Sequence, residues 1–149
     1  MLPVPVPIGL RLTKAARTVG QAFERTMRDA GGSPSMWQVL LLVRSGQYGA
    51  QSEMAKAMGI TGATLTHHLA TLEKAGLVRR WRDEKNRRLQ RVELTDAGLE
   101  KFAKLRKAAY AHNARLAAVL DEDEQAQFSA FLDRMAAAVS EPAGFPSGK

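Results

Sequence analysis

Apolar residues recur at three- and four-residue steps through Ile8, Leu12, Ala15, Ala16, Val19, Phe23, Met27 and Ala30, the period of one face of a long first helix. Gly31 and Gly32 stop it. Ser33 then offers a helix cap and Pro34 occupies the first helical position, ahead of a stripe of Met36, Val39, Leu40 and Val43 that residues 46–49 end. A short third helix, Gln51–Met58, closes at Gly59, and Thr61 caps a fourth with Leu65, Leu69 and Leu72 on one face and Gly76 at its exit. The period then shortens to two. Val92 and Leu94 alternate with Arg91 and Glu93, which predicts short strands over 78–82 and 89–95 joined by a hairpin tip at 83–88. Helical spacing returns at Thr95-Asp96 with Leu99, Phe102, Leu105, Ala109, Leu116 and Val119, a stripe longer than so small a lobe can cover. The carboxylates of 121–124 suit the first turn of a last helix carrying Phe128, Phe131, Leu132, Met135 and Val139. Residues 140–149, with two prolines and two glycines, are expected to form a disordered tail.

The pattern predicts a mainly α (α+β) protein in one unit spanning 1–149, in which a helix-turn-helix followed by a β-hairpin wing (33–95) is flanked by long helices at 8–30 and 96–139. In the central helix pair Ala55 is small enough for a close crossing, Gly59 permits a left-handed turn, and Ile60 and Leu65 fill the space between the helices. The second helix of the pair exposes Thr61, Gly62, Ala63, Thr64, Thr66, His67 and Thr71. These residues are small or hydrogen-bonding and none is acidic, so the face can enter a DNA major groove without conflict. An ordinary capped surface helix has the same composition, and charge separates the two readings.

The chain carries a formal charge of +7 with no cysteine. Such a balance attracts a polyanion without naming it. Its placement is informative: Arg79, Arg80, Arg82, Lys85, Arg87, Arg88 and Arg91 face only Asp83 and Glu84, so this short stretch holds +5 of the total. On a hairpin directly after a groove-sized helix, Arg80, Arg82, Lys85, Arg87 and Arg88 can reach a minor groove or phosphates. Asp83 suits a structural role, bonding loop amides or Arg87. Absence of cysteine excludes disulfides, thiolate nucleophiles and zinc ribbons and is compatible with a reducing cytoplasm. The apolar opening of the chain lacks a basic start and carries three prolines, so it is a poor signal peptide. No run approaches the length of a membrane span. A soluble cytoplasmic protein is expected, with no membrane partner. No phosphate loop, nucleophile elbow or functional carboxylate pair appears, which argues against an enzyme and calls for no cofactor.

Ala55, Gly59-Ile60-Thr61, Leu72-Glu73-Lys74-Ala75-Gly76-Leu77-Val78-Arg79-Arg80, Asp83-Glu84-Lys85-Asn86-Arg87-Arg88 and Leu94-Thr95-Asp96-Ala97-Gly98 together resemble the MarR (multiple-antibiotic-resistance regulator) family in order and spacing. The resemblance spans Ile8 to Val139, and its most specific part is Leu72 to Gly98. It implies a homodimer paired through the first and last two helices, a fourth helix in the major groove of a pseudo-palindromic duplex, and Arg87 in the minor groove. It further implies a transcriptional regulator, usually a repressor; many members of the family release DNA when a small, often phenolic or anionic, molecule binds between the dimerisation region and the DNA-binding lobe. Independently of the family, the long apolar stripes at both ends call for a second copy. An architectural DNA binder without base selectivity and a winged-helix protein-interaction module are the rival readings.

The chain departs from the family at His67, where an arginine is usual, so base preference cannot be carried over. His68 falls on or beside the apolar face, where a half-buried histidine bonded to a backbone carbonyl is the plainer reading and a ligand-sensing or metal role the other; His112 is a similar case. Trp37, Arg11 and Arg17 are expected to pack or be solvated, with effector binding as the alternative. Three scattered histidines make a metal site an unpromising reading.

Overall fold

The computed structural model describes residues 5–140. Its elements are α1 (Ile8–Asp29), α2 (Pro34–Ser45), α3 (Gln51–Met58), α4 (Gly62–Lys74), β1 (Val78–Arg82), β2 (Gln90–Leu94), α5 (Asp96–Ala117) and α6 (Glu122–Ser140). Ser140, assigned above to the tail, is the last residue of α6; residues 141–149 lie outside the described residues. No helix among the described residues is long and apolar enough to cross a membrane.

Local chemistry sets most boundaries. Ser33 accepts a bond from the Met36 amide at 3.1 Å ahead of Pro34, and Thr61 does the same for the Thr64 amide at 3.2 Å. Gly46 and Gly59 end α2 and α3 with φ of 63° and 68°, the left-handed region open to glycine. The hairpin is antiparallel with Val78 opposite Leu94, Arg80 opposite Val92 and Arg82 opposite Gln90. β2 is shorter at both ends than the alternation predicts. The Leu89 amide turns back to the Asn86 carbonyl at 2.8 Å, and Thr95 is taken up by capping α5 through the Gly98 amide at 3.1 Å.

Two compact units divide the chain, one ending at His112 and one beginning at Asn113. The first holds the core: Val39 and Leu40 of α2, Met54 and Ala55 of α3, Leu65, Leu69 and Leu72 of α4, Leu77, Val78, Met27 of α1 and Leu105 of α5 are all buried. Burial of so many aliphatic side chains, each stabilising by about 1.5–3 kcal/mol, holds the three-helix lobe and wing together. Gly98 shows how tightly the start of α5 is drawn in, since a Cβ there would lie 1.9 Å from the Leu77 carbonyl oxygen. In the second unit Asp121 and Glu124 form a reciprocal capping box, with bonds of 2.8 and 2.9 Å to each other's amides. Gln125 ties down the Ala117 and Leu120 carbonyls at 3.2 and 3.0 Å. No residue of α6 is buried.

Candidate nucleic-acid interface

Leu65, Leu69 and Leu72 pin one side of α4 into the core, which turns the opposite side outward. Thr61, Gly62, Ala63, Thr64, Thr66, His67 and Thr71 are all exposed there. The threonine hydroxyls are already oriented. Thr66 donates to the Gly62 carbonyl at 2.9 Å and Thr71 to the His67 carbonyl at 3.0 Å, so both turn oxygen lone pairs and a methyl group away from the helix. Thr61 and Thr64 share a hydroxyl contact of 2.9 Å. The exposed face therefore presents acceptors and methyls, with the His67 imidazole as its ring donor.

The wing sorts its seven cations into two groups. Arg79 pairs with Glu93, Arg80 with Glu73 at 2.7 Å and Arg91 with Asp83 at 2.9 Å. Among the described residues no ion pair engages Arg82, Lys85, Arg87 or Arg88, and all four are exposed. Unneutralised charge thus collects at the tip. Arg82 lies across the loop with its guanidinium 3.5 Å from the Arg87 carbonyl.

Asp83 shapes that tip. One of its oxygens accepts from the Lys85 and Asn86 amides at 2.9 and 3.0 Å, and the other accepts from the Arg91 Nε at 2.9 Å. The loop-amide bonds match the expectation. The arginine is Arg91 rather than Arg87, because the strand register brings Arg91 back beside the start of the loop while Arg87 stays at the turn. The Asn86 amide, then the Arg91 side chain and the Lys85 amide, hold the carboxyl below the ordinary aspartate value.

The five residues considered for an effector are scattered. No hydrogen bond, ion pair or ring contact among the described residues joins any two of Arg11, Arg17, Trp37, His68 and His112. Arg11 borders a shallow groove along α1 and the preceding Val6, beside Leu10 and Val19, and Arg17 is exposed on the same helix. His68 is half-buried as expected, but the described residues give its ring no carbonyl bond. His112 is 9% exposed against the Phe23 ring, and its Nε2 has no partner among the described residues. Trp37 stacks on Phe102 with ring centroids 5.5 Å apart. Phe102 in turn lines an open hollow of about 540 Å³ with Arg44, Leu99, Arg106, Lys107 and Tyr110. The three cations of that hollow escaped sequence reasoning, because Arg44 and the α5 pair are far apart in the chain and look individually like solvated surface.

A helix-turn-helix with a basic wing is the class of protein that this fold and surface define. The MarR family profile matches residues 33–89, from the cap of α2 to the wing tip, so this winged segment is similar to the MarR family. Over 91 residues the chain is 33% identical to an uncharacterised HTH-type transcriptional regulator, YdgJ, of Bacillus subtilis (strain 168); the match covers 61% of this chain and about half, 54%, of that relative. Among solved structures it is similar to the transcriptional repressor CouR bound to a 23-mer DNA duplex, with a TM-score of 0.78, 29% identity, and coverage of 87% of this chain and 92% of that one. It is likewise similar to the M. tuberculosis regulator MOSR in complex with DNA, with a TM-score of 0.69, 26% identity, and coverage of 91% and 99%. The mainly α winged-helix fold expected from the hydrophobic pattern is the observed fold.

Proposed function

We propose that the chain is a sequence-specific, duplex-DNA-binding transcriptional regulator, acting as a repressor and as a homodimer in the cytoplasm. The observation that carries this reading is the pairing of an exposed face over 61–71 that holds no acidic residue with four unneutralised cations at the adjacent hairpin tip. In this reading α4 lies in the major groove, where Thr61, Gly62, Ala63, Thr64, Thr66, His67 and Thr71 face base edges and phosphates. The lone pairs of Thr66 and Thr71 suit the amino groups of adenine and cytosine, and their methyls suit thymine. Arg82, Lys85, Arg87 and Arg88 hold the neighbouring minor groove and backbone, with Arg87 outermost at the turn. That two related proteins, CouR and MOSR, have been solved on DNA supports the same use of this surface.

Two copies follow from the unsatisfied apolar positions of the terminal helices and from the two-fold symmetry of operators read by such lobes. An effector, where one acts, is a small aromatic anion. The hollow beside Phe102 supports that chemistry, since it offers Arg44, Arg106 and Lys107 to a carboxylate or phenolate and Phe102 and Tyr110 to a ring.

A salt titration against a duplex enriched from a random pool, with a scrambled duplex alongside, tests the reading. A regulator prefers the enriched duplex by about 10³ or more at physiological salt. Equal affinity for both duplexes identifies an architectural binder, and binding to neither identifies a protein-interaction module; either result rejects the proposal.

A further inference from the structure

Arg80 has the residue type of a DNA contact and the geometry of something else. Strand alternation puts it on the same face of the hairpin as Val78, which is buried. Its side chain is only 15% exposed, and its Nε and a terminal nitrogen converge on one Glu73 oxygen at 2.9 and 2.7 Å. Arg79, by contrast, pairs with Glu93 in the open, with 68% of its side chain exposed. A charge-assisted fork partly withdrawn from water holds its geometry better than an exposed ion pair.

Glu73 is also oddly placed for a carboxylate. It stands in the last turn of α4, where the outward carbonyls repel negative charge, and on the lobe proposed to meet phosphates. Its neutralisation by Arg80 removes both penalties. The pair spans the junction between the reading helix and the wing, which are otherwise joined by Ala75, Gly76 and Leu77, with the Leu77 amide bonded to the Leu72 carbonyl at 2.9 Å.

We propose that Arg80 and Glu73 form a brace that fixes the angle between α4 and the wing, so that Arg80 is a positioning residue and not a phosphate contact. The brace sets how far the tip stands from the reading helix and hence whether major- and minor-groove contacts can be made together. This inference rests on the DNA-binding reading for its consequence, and its structural content is testable without DNA.

The test uses the full chain with Arg80→Met, Glu73→Gln and both together. Each single substitution is expected to weaken binding to the enriched duplex by about tenfold, and the double variant to be no weaker than either alone, because both remove one interaction. The slope of log affinity against log salt stays at the wild-type value. Loss of a true phosphate contact would lower that slope by about 0.9. Glu73→Gln discriminates most sharply, since removing a negative charge beside DNA tightens binding unless the carboxylate holds Arg80 in place. In the absence of DNA, amide exchange in the hairpin quickens by about fivefold in both single variants while α4 is unchanged. A reduced salt slope for Arg80→Met, tighter binding by Glu73→Gln and unaltered hairpin exchange would together overturn the brace. Should the wild-type chain bind no duplex, the functional reading fails by itself, and the exchange rates still decide the brace.

Discussion

The winged lobe and the terminal helices are built from similar amounts of apolar sequence and use it in opposite ways. Between α2 and β2 the large aliphatic residues Val39, Leu40, Met54, Leu65, Leu69 and Leu72 are buried within one chain. On α1 only Met27 is buried, and on α6 nothing is. Ile8, Leu10, Val19, Leu116, Val119, Phe128, Phe131 and Val139 stand exposed instead. Scattered exposed apolar residues are normal, but several large ones repeating along two helices are surface left for a partner. The winged lobe therefore buries its own apolar face, with Met27 of α1 and Leu105 of α5 joining its core, while the exposed positions of the ends are what the proposed second copy would cover.

That contrast can be broken most decisively by truncation after Leu120, which removes α6. Sedimentation is expected to find the product monomeric or aggregated; a soluble dimer would mean that pairing does not use this helix. Next in size is a matched pair of substitutions. Leu65→Ala, in the lobe core, should lower unfolding stability by about 2–5 kcal/mol in urea denaturation. Phe131→Ala should leave the lobe's transition nearly in place and instead weaken self-association by about tenfold or more. Equal effects of the two on lobe unfolding would erase the distinction between the regions.

Smaller again is Arg87→Ala. It should cost about 10–100-fold in affinity for the enriched duplex with the dimer intact, and normal affinity would mean that the tip is elsewhere. Smallest is the response of the tip to acid. The Asp83 carboxyl titrates below its ordinary value of 3.8, so the order it gives the loop is complete above that value and disappears only as pH falls through its own lower pKa. Lys85 and Asn86 amide signals should hold their positions from about pH 7 to about pH 4 and move below it; movement near about pH 6 would contradict the assignment.

The fold was legible wherever one residue type has one physical use. Ser33-Pro34, Gly59 and Thr61 mark their helix ends because caps and left-handed turns accept few alternatives, and the boundaries of α2, α3 and β1 coincide with those expected. β2 was read one residue too long at each end because Leu89 and Thr95 each keep one backbone bond across the hairpin, to Asp83 and Leu77, while the Leu89 amide turns into the loop and the Thr95 hydroxyl caps α5. At the interface the exposed face of α4 was visible, since three leucines fix what faces inward. Partner choice among arginines was not. Sequence shows seven cations and three acids at the wing, but only the register reveals that Arg91, not Arg87, meets Asp83. Glu73, outside the wing altogether, engages Arg80. Contacts between distant segments, such as Trp37 on Phe102 or Phe23 on His112, carry no local signature, so the hollow lined by Arg44, Arg106 and Lys107 could only be seen in three dimensions.

The central claim is that each lobe reads half of a symmetric duplex and that the terminal helices join two lobes to do so. Native mass spectrometry of the full chain with the enriched duplex at near-physiological salt measures this directly. The account predicts two chains on each duplex and two chains in its absence; a single chain that stays free of every duplex, even at low salt, would contradict it.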